Sequence, residues 1–285
     1  MAQTESESAL APESSSTDRP LYRIYPNIQS TVILFFILIL NSLLVAIPLV
    51  IVLISQQSVS PLLKSILSLI GYVVPLLLTI NYAVRKSKIQ QGYPVKVNFS
   101  KFQPWIIPIV IVGTLALVVP ISQIANILPM PASVHKFFER AFTKDIFSIV
   151  TVVVAAPILE EILCRGIVLK GLLQNYSPQK AIIISAIFFA AIHLNPWQAL
   201  PAFFVGLFLG WIYHRSQSVF PGMIIHATVN ITATAFLFLP TNKKDLPELL
   251  GTSYYLLALV ASIAIFSMAC FIINKKLRLT VVPNL

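Results

Sequence analysis

The sequence is poor in charge: only 11% of its 285 residues are Asp, Glu, Lys or Arg, whereas 57% are hydrophobic. Soluble domains usually carry about 25% charged and 45–50% apolar residues. A chain of this composition cannot hide its apolar surface in water, which excludes an ordinary soluble globular protein. The apolar residues also come in runs of roughly 20, enough to cross a hydrocarbon core of about 30 Å. The sequence therefore predicts an integral membrane protein.

Cysteine and internal repetition are scarce as well. The two cysteines, Cys164 and Cys270, both lie inside apolar runs, and there is no CxxC pair. This excludes a disulfide framework and leaves the redox compartment undetermined. No repeat of 20–50 residues is present, and no two halves match in hydropathy, which disfavours an inverted-repeat transporter. We expect the membrane core to be one domain.

What the sequence does contain is a series of apolar spans, which predicts an all-α fold with about eight transmembrane helices in one bundle. We expect residues 1–30 to be a disordered cytosolic tail, residues 31–275 the polytopic membrane domain, and residues 276–285 a cytosolic C-terminal tail. The predicted spans are 31–55, 60–83, 104–128, 145–169, 181–195, 197–214, 219–239 and 253–274.

The basic residues are distributed unevenly among the predicted loops. With the N-terminus inside, thirteen Lys and Arg residues fall in the inner segments and five in the outer ones. This is the positive-inside pattern, which accounts for the formal charge of +10 without a nucleic-acid partner. We expect a multi-pass protein of the cytoplasmic membrane with both termini in the cytosol and the lipid bilayer as its partner.

Four ionisable residues stand out because they lie inside apolar spans: Glu160 and Glu161 in the fourth, His193 in the fifth and His226 in the seventh. Such groups are costly in hydrocarbon and usually mark a functional site. Asn230 lies one turn beyond His226, on the same helical face. At 1.5 Å per residue, Glu160, His193 and His226 lie about 11–18 Å from the cytosolic ends of their spans. We therefore expect them to line one polar intramembrane cavity.

The two adjacent glutamates are expected to differ in role. Glu161 and Arg165 are spaced i,i+4 and are predicted to form a structural ion pair. Glu160 points about 100° away from Glu161 and has no partner in its own helix. Alone in a dry bundle, this carboxylate would take up a proton. Beside an imidazole, it would act as a general base.

Three motifs follow one another in order: Glu160-Glu161-x-x-x-Arg165, Phe189-x-x-x-His193 and His226-x-x-x-Asn230. This pattern, over roughly residues 145–240, resembles that of the CAAX-protease and bacteriocin-processing (CPBP/Abi) family, the group of the Rce1-type prenyl endopeptidases. The resemblance implies an eight-helix bundle with a cytosol-facing cavity, whose catalytic core is residues 145–240.

The resemblance also implies an activity, namely hydrolysis of a peptide bond near the C-terminus of a membrane-associated substrate. In this family the substrate can be a lipidated protein that ends in a prenylated CaaX sequence. Glu160 and His193 would activate a water for attack on the peptide carbonyl. His226 and Asn230 would stabilise the oxyanion that forms.

Two questions stay open on the sequence alone. Family members are often described as metalloproteases, and Glu160, His193 and His226 could supply three Zn²⁺ ligands. Because no HExxH motif is present, we favour a metal-independent mechanism with no cofactor, and Zn²⁺ is the alternative. The competing function is a proton-coupled transporter in which the buried Glu and His relay protons. A non-catalytic scaffold or immunity protein is the third interpretation, disfavoured by the intact motifs.

Overall fold

The computed structural model describes residues 24–55, 59–100, 103–134, 144–238 and 246–277. These residues form helices and connecting segments, with no β-strand among them. In chain order the helices are α1 (Ile28–Ser55), α2 (Pro61–Gln91), α3 (Ile106–Ala125), α4 (Ile146–Asn175), α5 (Pro178–Ala191), α6 (Pro196–Ser216), α7 (Phe220–Leu237), the short α8 (Leu246–Leu250) and α9 (Thr252–Lys276).

Within the part of the chain that the structure describes, α1 to α4 and α9 are long and apolar enough to cross a membrane. With these five helices the chain is a multi-pass membrane protein, as its composition predicted. The other three predicted spans coincide with α5, α6 and α7, so a helix forms at each of the eight positions. Since α5 has only 14 residues, a count of eight crossing helices stays a prediction.

Helices α2, α5, α6 and α7 pack against α4. The most extensive contacts between helices are those of α5 with α6, α3 with α9, and α1 with α2. Helix α7 contacts α3, α6 and α4. Large apolar side chains such as Phe36, Ile51 and Phe271 are exposed on the outer faces of α1 and α9. In a bilayer these faces lie against lipid, so their exposure carries no cost.

Helix α4 is irregular on both sides of the two glutamates. It contains π-helical stretches at Thr151–Ala155 and Ile162–Leu169, separated by the α-helical turn Ala156–Glu161. Pro157 has no N–H, so the carbonyl four residues earlier loses its usual donor. The first stretch ends just before this proline, where the Ala156 N–H bonds the Thr151 carbonyl five residues back. Such stretches occur frequently at functional sites.

The chain before α1 corrects one sequence prediction. The disordered tail was expected to reach residue 30, but α1 already begins at Ile28. The Ile24 carbonyl accepts a hydrogen bond from Asn175 Nδ2 at 2.7 Å, and the Tyr25 N–H donates to Gln91 Oε1 at 3.1 Å. These contacts fix the entry to α1 against the ends of α4 and α2. Residues 1–23 and 278–285 of the predicted tails lie outside the described part.

Candidate active site

Glu160 is hydrogen-bonded through one of its two carboxylate oxygens. It lies between the two π-helical stretches of α4 and is 8% exposed. Its Oε1 accepts a hydrogen bond from the hydroxyl of Tyr72 on α2. Its Oε2 is buried and has no hydrogen-bond partner among the described residues. An unsatisfied carboxylate oxygen is costly in a protein interior, and each such group in a native fold calls for an explanation.

Glu160 and His193 line the same cavity, whose volume is about 250 Å³. One side is largely apolar and comes from α1 and α2, and the other carries the polar groups of α4 and of the connection between α5 and α6. The space can hold a substrate side chain together with a water, which occupies about 30 Å³. The lining residues are Leu38, Ile39, Ser42, Gly71, Tyr72, Pro75, Leu76, Glu160, Ile192, His193, Leu194 and Gln198.

His193 lies in a turn and not in a helix. The sequence placed it inside the span 181–195, but α5 ends at Ala191. The next residue, Leu194, has a φ of 57°, in the left-handed region that a leucine rarely adopts. The side chain of Asn195 bonds both the His193 carbonyl and the first turn of α6. The surrounding structure thus holds this strained turn, and strain of this kind clusters at active sites.

The hydrogen bonding of His193 identifies its free nitrogen. Nδ1 lies 2.8 Å from the carbonyl oxygen of Phe189, which can only accept. Nδ1 must therefore carry a proton and donate it to this bond. In the neutral ring Nε2 is then the unprotonated nitrogen, which can accept a proton or a hydrogen bond.

Glu161 and Arg165 form a buried ion pair, in which Glu161 Oε1 lies 2.8 Å from Arg165 Nη1 and both side chains are fully buried. Arg165 Nη2 also donates to the carbonyl of Gly206 at 3.2 Å. The guanidinium lies over the ring of Phe189, 4.4 Å from its centroid. Arg165 therefore ties α4 to both α5 and α6.

Glu161 has a second partner that the sequence prediction did not include. His226 Nδ1 lies 3.2 Å from the same Oε1 of Glu161. The close approach of α7 depends on Gly222, because a Cβ there would lie 2.7 Å from Glu161 Oε2. Glu161 thus connects the ion pair to a predicted catalytic histidine.

His226 and Asn230 do not line the cavity that contains Glu160 and His193. Asn230 Nδ2 donates instead to the carbonyl of Val152 at 2.7 Å, within the first π-helical stretch. The expectation that His226 shares the cavity is therefore wrong for this structure, because its ring faces Glu161. The Phe189 ring stands between the two histidines, with its centroid 5.2 Å from His193 and 5.4 Å from His226.

The residues that the sequence offered as alternative zinc ligands do not fit a metal site in this arrangement. Among the described residues, no three His, Cys, Asp or Glu side chains are grouped so that they could hold a metal ion. Glu160 and His193 line the cavity, whereas His226 contacts Glu161.

Tyr72 and Gly222 are the site residues that sequence reasoning missed. Tyr72 is a tyrosine within an apolar span, and a buried tyrosine hydroxyl usually finds a hydrogen-bond partner. That rule could have marked it as a candidate, although not its partner on another helix. Gly222 carries no signal of its own, because its role appears only when α7 lies against α4.

The structure is that of a multi-pass α-helical membrane protein in which Glu160, Glu161 and His226 are buried, and part of the chain matches a known family. Residues 142–232 match the model of the type II CAAX prenyl endopeptidase Rce1-like family. This segment contains all three motifs, so the resemblance predicted from them is confirmed there.

A search of curated proteins found a further similarity. The chain is similar to the UPF0177 protein YxdF of Lactococcus lactis subsp. lactis (strain IL1403), with 27% identity over 96 residues. The aligned part is 33% of this chain and 52% of the relative, so the chain spans about half the length of that protein. No solved structure matches the chain significantly.

Proposed function

We propose that this protein is an intramembrane endopeptidase that hydrolyses a peptide bond near the C-terminus of a membrane-associated substrate. Two observations carry the proposal: Glu160 and His193 line one cavity, and Glu160 Oε2 has no hydrogen-bond partner among the described residues. A transporter relay needs a chain of polar groups that leads away from the buried carboxylate. On α1 and α2 the cavity is bounded mainly by apolar side chains, which favours a chemical site over a proton path.

The reaction begins with a water held between two acceptors. Glu160 Oε2 and His193 Nε2 accept the two hydrogens of the water, which leaves an oxygen lone pair for the scissile carbonyl carbon. Glu160 takes one proton as the water attacks, and a tetrahedral oxyanion forms. The same proton then passes to the leaving nitrogen as the C–N bond breaks, so the products are a carboxylic acid and an amine. A general base of this kind contributes about 10²–10⁴-fold to the rate.

His226 and Asn230 are the proposed donors to the oxyanion. His226 Nδ1 faces Glu161 Oε1, so Nε2–H is directed elsewhere and can donate to the oxyanion when the ring carries both protons. Asn230 uses one amide hydrogen on Val152 and has a second available. Because neither residue lines the cavity, this role requires the substrate carbonyl to reach past the ring of Phe189. Donors at a developing oxyanion are worth about 2.7–4 kcal/mol each.

The proposed substrate is a protein held at the membrane by a lipid, with a CaaX-type C-terminus as its most specific form. The Rce1-like match over residues 142–232 supports this class. The apolar wall formed by Leu38, Ile39 and Leu76 supports an aliphatic side chain beside the scissile bond. A substrate in the bilayer would reach a buried site without crossing water.

The test is cleavage by purified protein in lipid nanodiscs. Peptides that end in CaaX sequences, with and without a farnesyl group, would be incubated with wild type, Glu160→Gln and Glu248→Gln, and the products read by mass spectrometry. Glu248 is an exposed carboxylate on α8 and serves as the matched control. We expect the wild type and the Glu248 variant to cut and Glu160→Gln not to cut. An absence of cleavage together with proton-driven uptake into proteoliposomes would favour the transporter instead.

A further inference from the structure

We propose that Tyr72 is a positioning residue of this site, which holds the Glu160 carboxylate by Oε1 so that Oε2 is directed to the reacting water. The inference rests on the endopeptidase function proposed above. It adds a residue from α2, far from the three motifs, to a site that those motifs place on α4, the α5–α6 turn and α7.

The hydrogen bonding of the carboxylate carries the inference. The Tyr72 hydroxyl is the partner of Glu160 Oε1, and within the described part of the chain Glu160 Oε2 has no partner. A glutamate side chain has up to about 2 kcal/mol of rotamer freedom to lose when it is fixed in one orientation. The hydrogen bond to Tyr72 fixes it before substrate arrives. A displacement of about 1 Å at a reacting group can cost about 10²-fold in rate, so this preorganisation has a kinetic value.

The chemistry of a phenol suits this task better than that of a basic side chain. Glu161, one residue along, is paired with Arg165, and its charge is neutralised there. An ammonium or guanidinium at position 72 would pair with Glu160 in the same way and weaken it as a base. A tyrosine hydroxyl donates one hydrogen bond without a formal charge. The carboxylate is therefore oriented and still able to accept a proton.

Tyr72 also lines the cavity, so a direct contact with substrate is the competing role. The two roles differ in their kinetics. Loss of a contact that binds substrate and transition state equally raises KM, whereas loss of orientation of the base lowers kcat. Measuring kcat and KM for the variant therefore distinguishes the positioning role from direct contact with the substrate.

The experiment compares Tyr72→Phe with Tyr254→Phe, a control tyrosine that is 73% exposed on α9. Both keep the ring, and Tyr72→Phe leaves Glu160 Oε1 without its donor, so we expect folded protein that melts somewhat below wild type. For Tyr72→Phe, kcat should fall about 10–100-fold with KM within about twofold. Removal of the hydrogen-bond partners that orient metal ligands in enzymes costs a similar factor. Tyr254→Phe should leave both constants unchanged.

A second arm uses Glu160→Asp as the background. The shorter aspartate no longer reaches the phenol, so adding Tyr72→Phe should change kcat by less than about threefold, because residues that act as a unit are not additive. Infrared spectra without substrate give an independent measurement. Tyr72→Phe should shift the carboxylate band that Glu160→Gln removes.

Three results would overturn the inference while leaving the endopeptidase in place: an unchanged kcat in Tyr72→Phe, a rise in KM alone, or the same fall in kcat in both backgrounds. An unshifted carboxylate band would also overturn it. Failure of the wild type to cut any peptide is a different result, because it removes the proposed function and this role together.

Discussion

The buried cluster of Glu161, Arg165 and His226 gives the sharpest stability prediction. The perturbations are Glu161→Ala, Arg165→Ala and the double variant. Each single change leaves a charge in the bundle interior without its partner at 2.8 Å, and neither side chain has any exposure through which water could compensate. Breaking a buried pair in this way typically costs about 3–5 kcal/mol.

The size of the effect can be expressed as a melting temperature. For chains of 150–250 residues, 1 kcal/mol corresponds to about 2–4 °C, so each single variant should melt about 6–20 °C below wild type. The double variant leaves neither charge behind. It should therefore be less destabilised than the sum of the two single variants, although Arg165 also loses its contacts with Gly206 and Phe189.

Turnover distinguishes the role of Glu161 from that of Arg165. Glu161 is the residue that contacts His226 Nδ1, while Arg165 reaches the histidine only indirectly, through Glu161 Oε1 and through the ring of Phe189. Per folded molecule, Glu161→Ala should therefore lower kcat at least about tenfold more than Arg165→Ala, if one charge-assisted hydrogen bond is worth about 1.5–3 kcal/mol.

The assay is thermal unfolding in detergent for all four proteins, together with turnover divided by the folded fraction. Additive destabilisation to within about 0.5 kcal/mol would mean that the two charges do not interact, which would refute the reasoning. Wild-type stability with lost turnover in Glu161→Ala would show that this residue is the base and that Glu160 is not.

Two further predictions concern the metal and the oxyanion donors. Thoroughly demetallated protein should contain less than about one-tenth equivalent of zinc and stay active; one tightly bound zinc per chain, restored together with activity, would make Glu160, His193 and His226 the expected ligands after a rearrangement. His226→Ala and Asn230→Ala should each lower kcat by about 10²–10³-fold with little change in KM, and a kcat within threefold of wild type in stopped-flow assays would remove them from the site.

Much of the fold could be predicted because apolar run length is a direct signal in a membrane protein. Each predicted span coincides with a helix, since a spanning segment must satisfy its own backbone hydrogen bonds. The Glu161–Arg165 pair follows from local spacing alone, and the structure has the two side chains 2.8 Å apart.

What could not be predicted depends on contacts between helices. His193 falls in a turn because Asn195 caps α6 and Leu194 adopts a left-handed φ, and neither feature changes the hydropathy of the span. The Tyr72–Glu160 and Glu161–His226 contacts join residues far apart in the chain. Depth counted along separate spans put Glu160, His193 and His226 at one level. It could not tell which carboxylate each histidine would face.

The central claim is that Glu160 is the base of a hydrolytic site, and turnover per folded molecule of Glu160→Gln tests it most directly. Glu248→Gln is the carboxylate control. His214, in the last turn of α6 and not among the residues that line the cavity, gives the histidine control His214→Ala for His193→Ala. We predict that Glu160→Gln and His193→Ala each lose at least about 10²-fold in kcat while both controls keep wild-type rates. Near-normal turnover in folded Glu160→Gln would contradict the account.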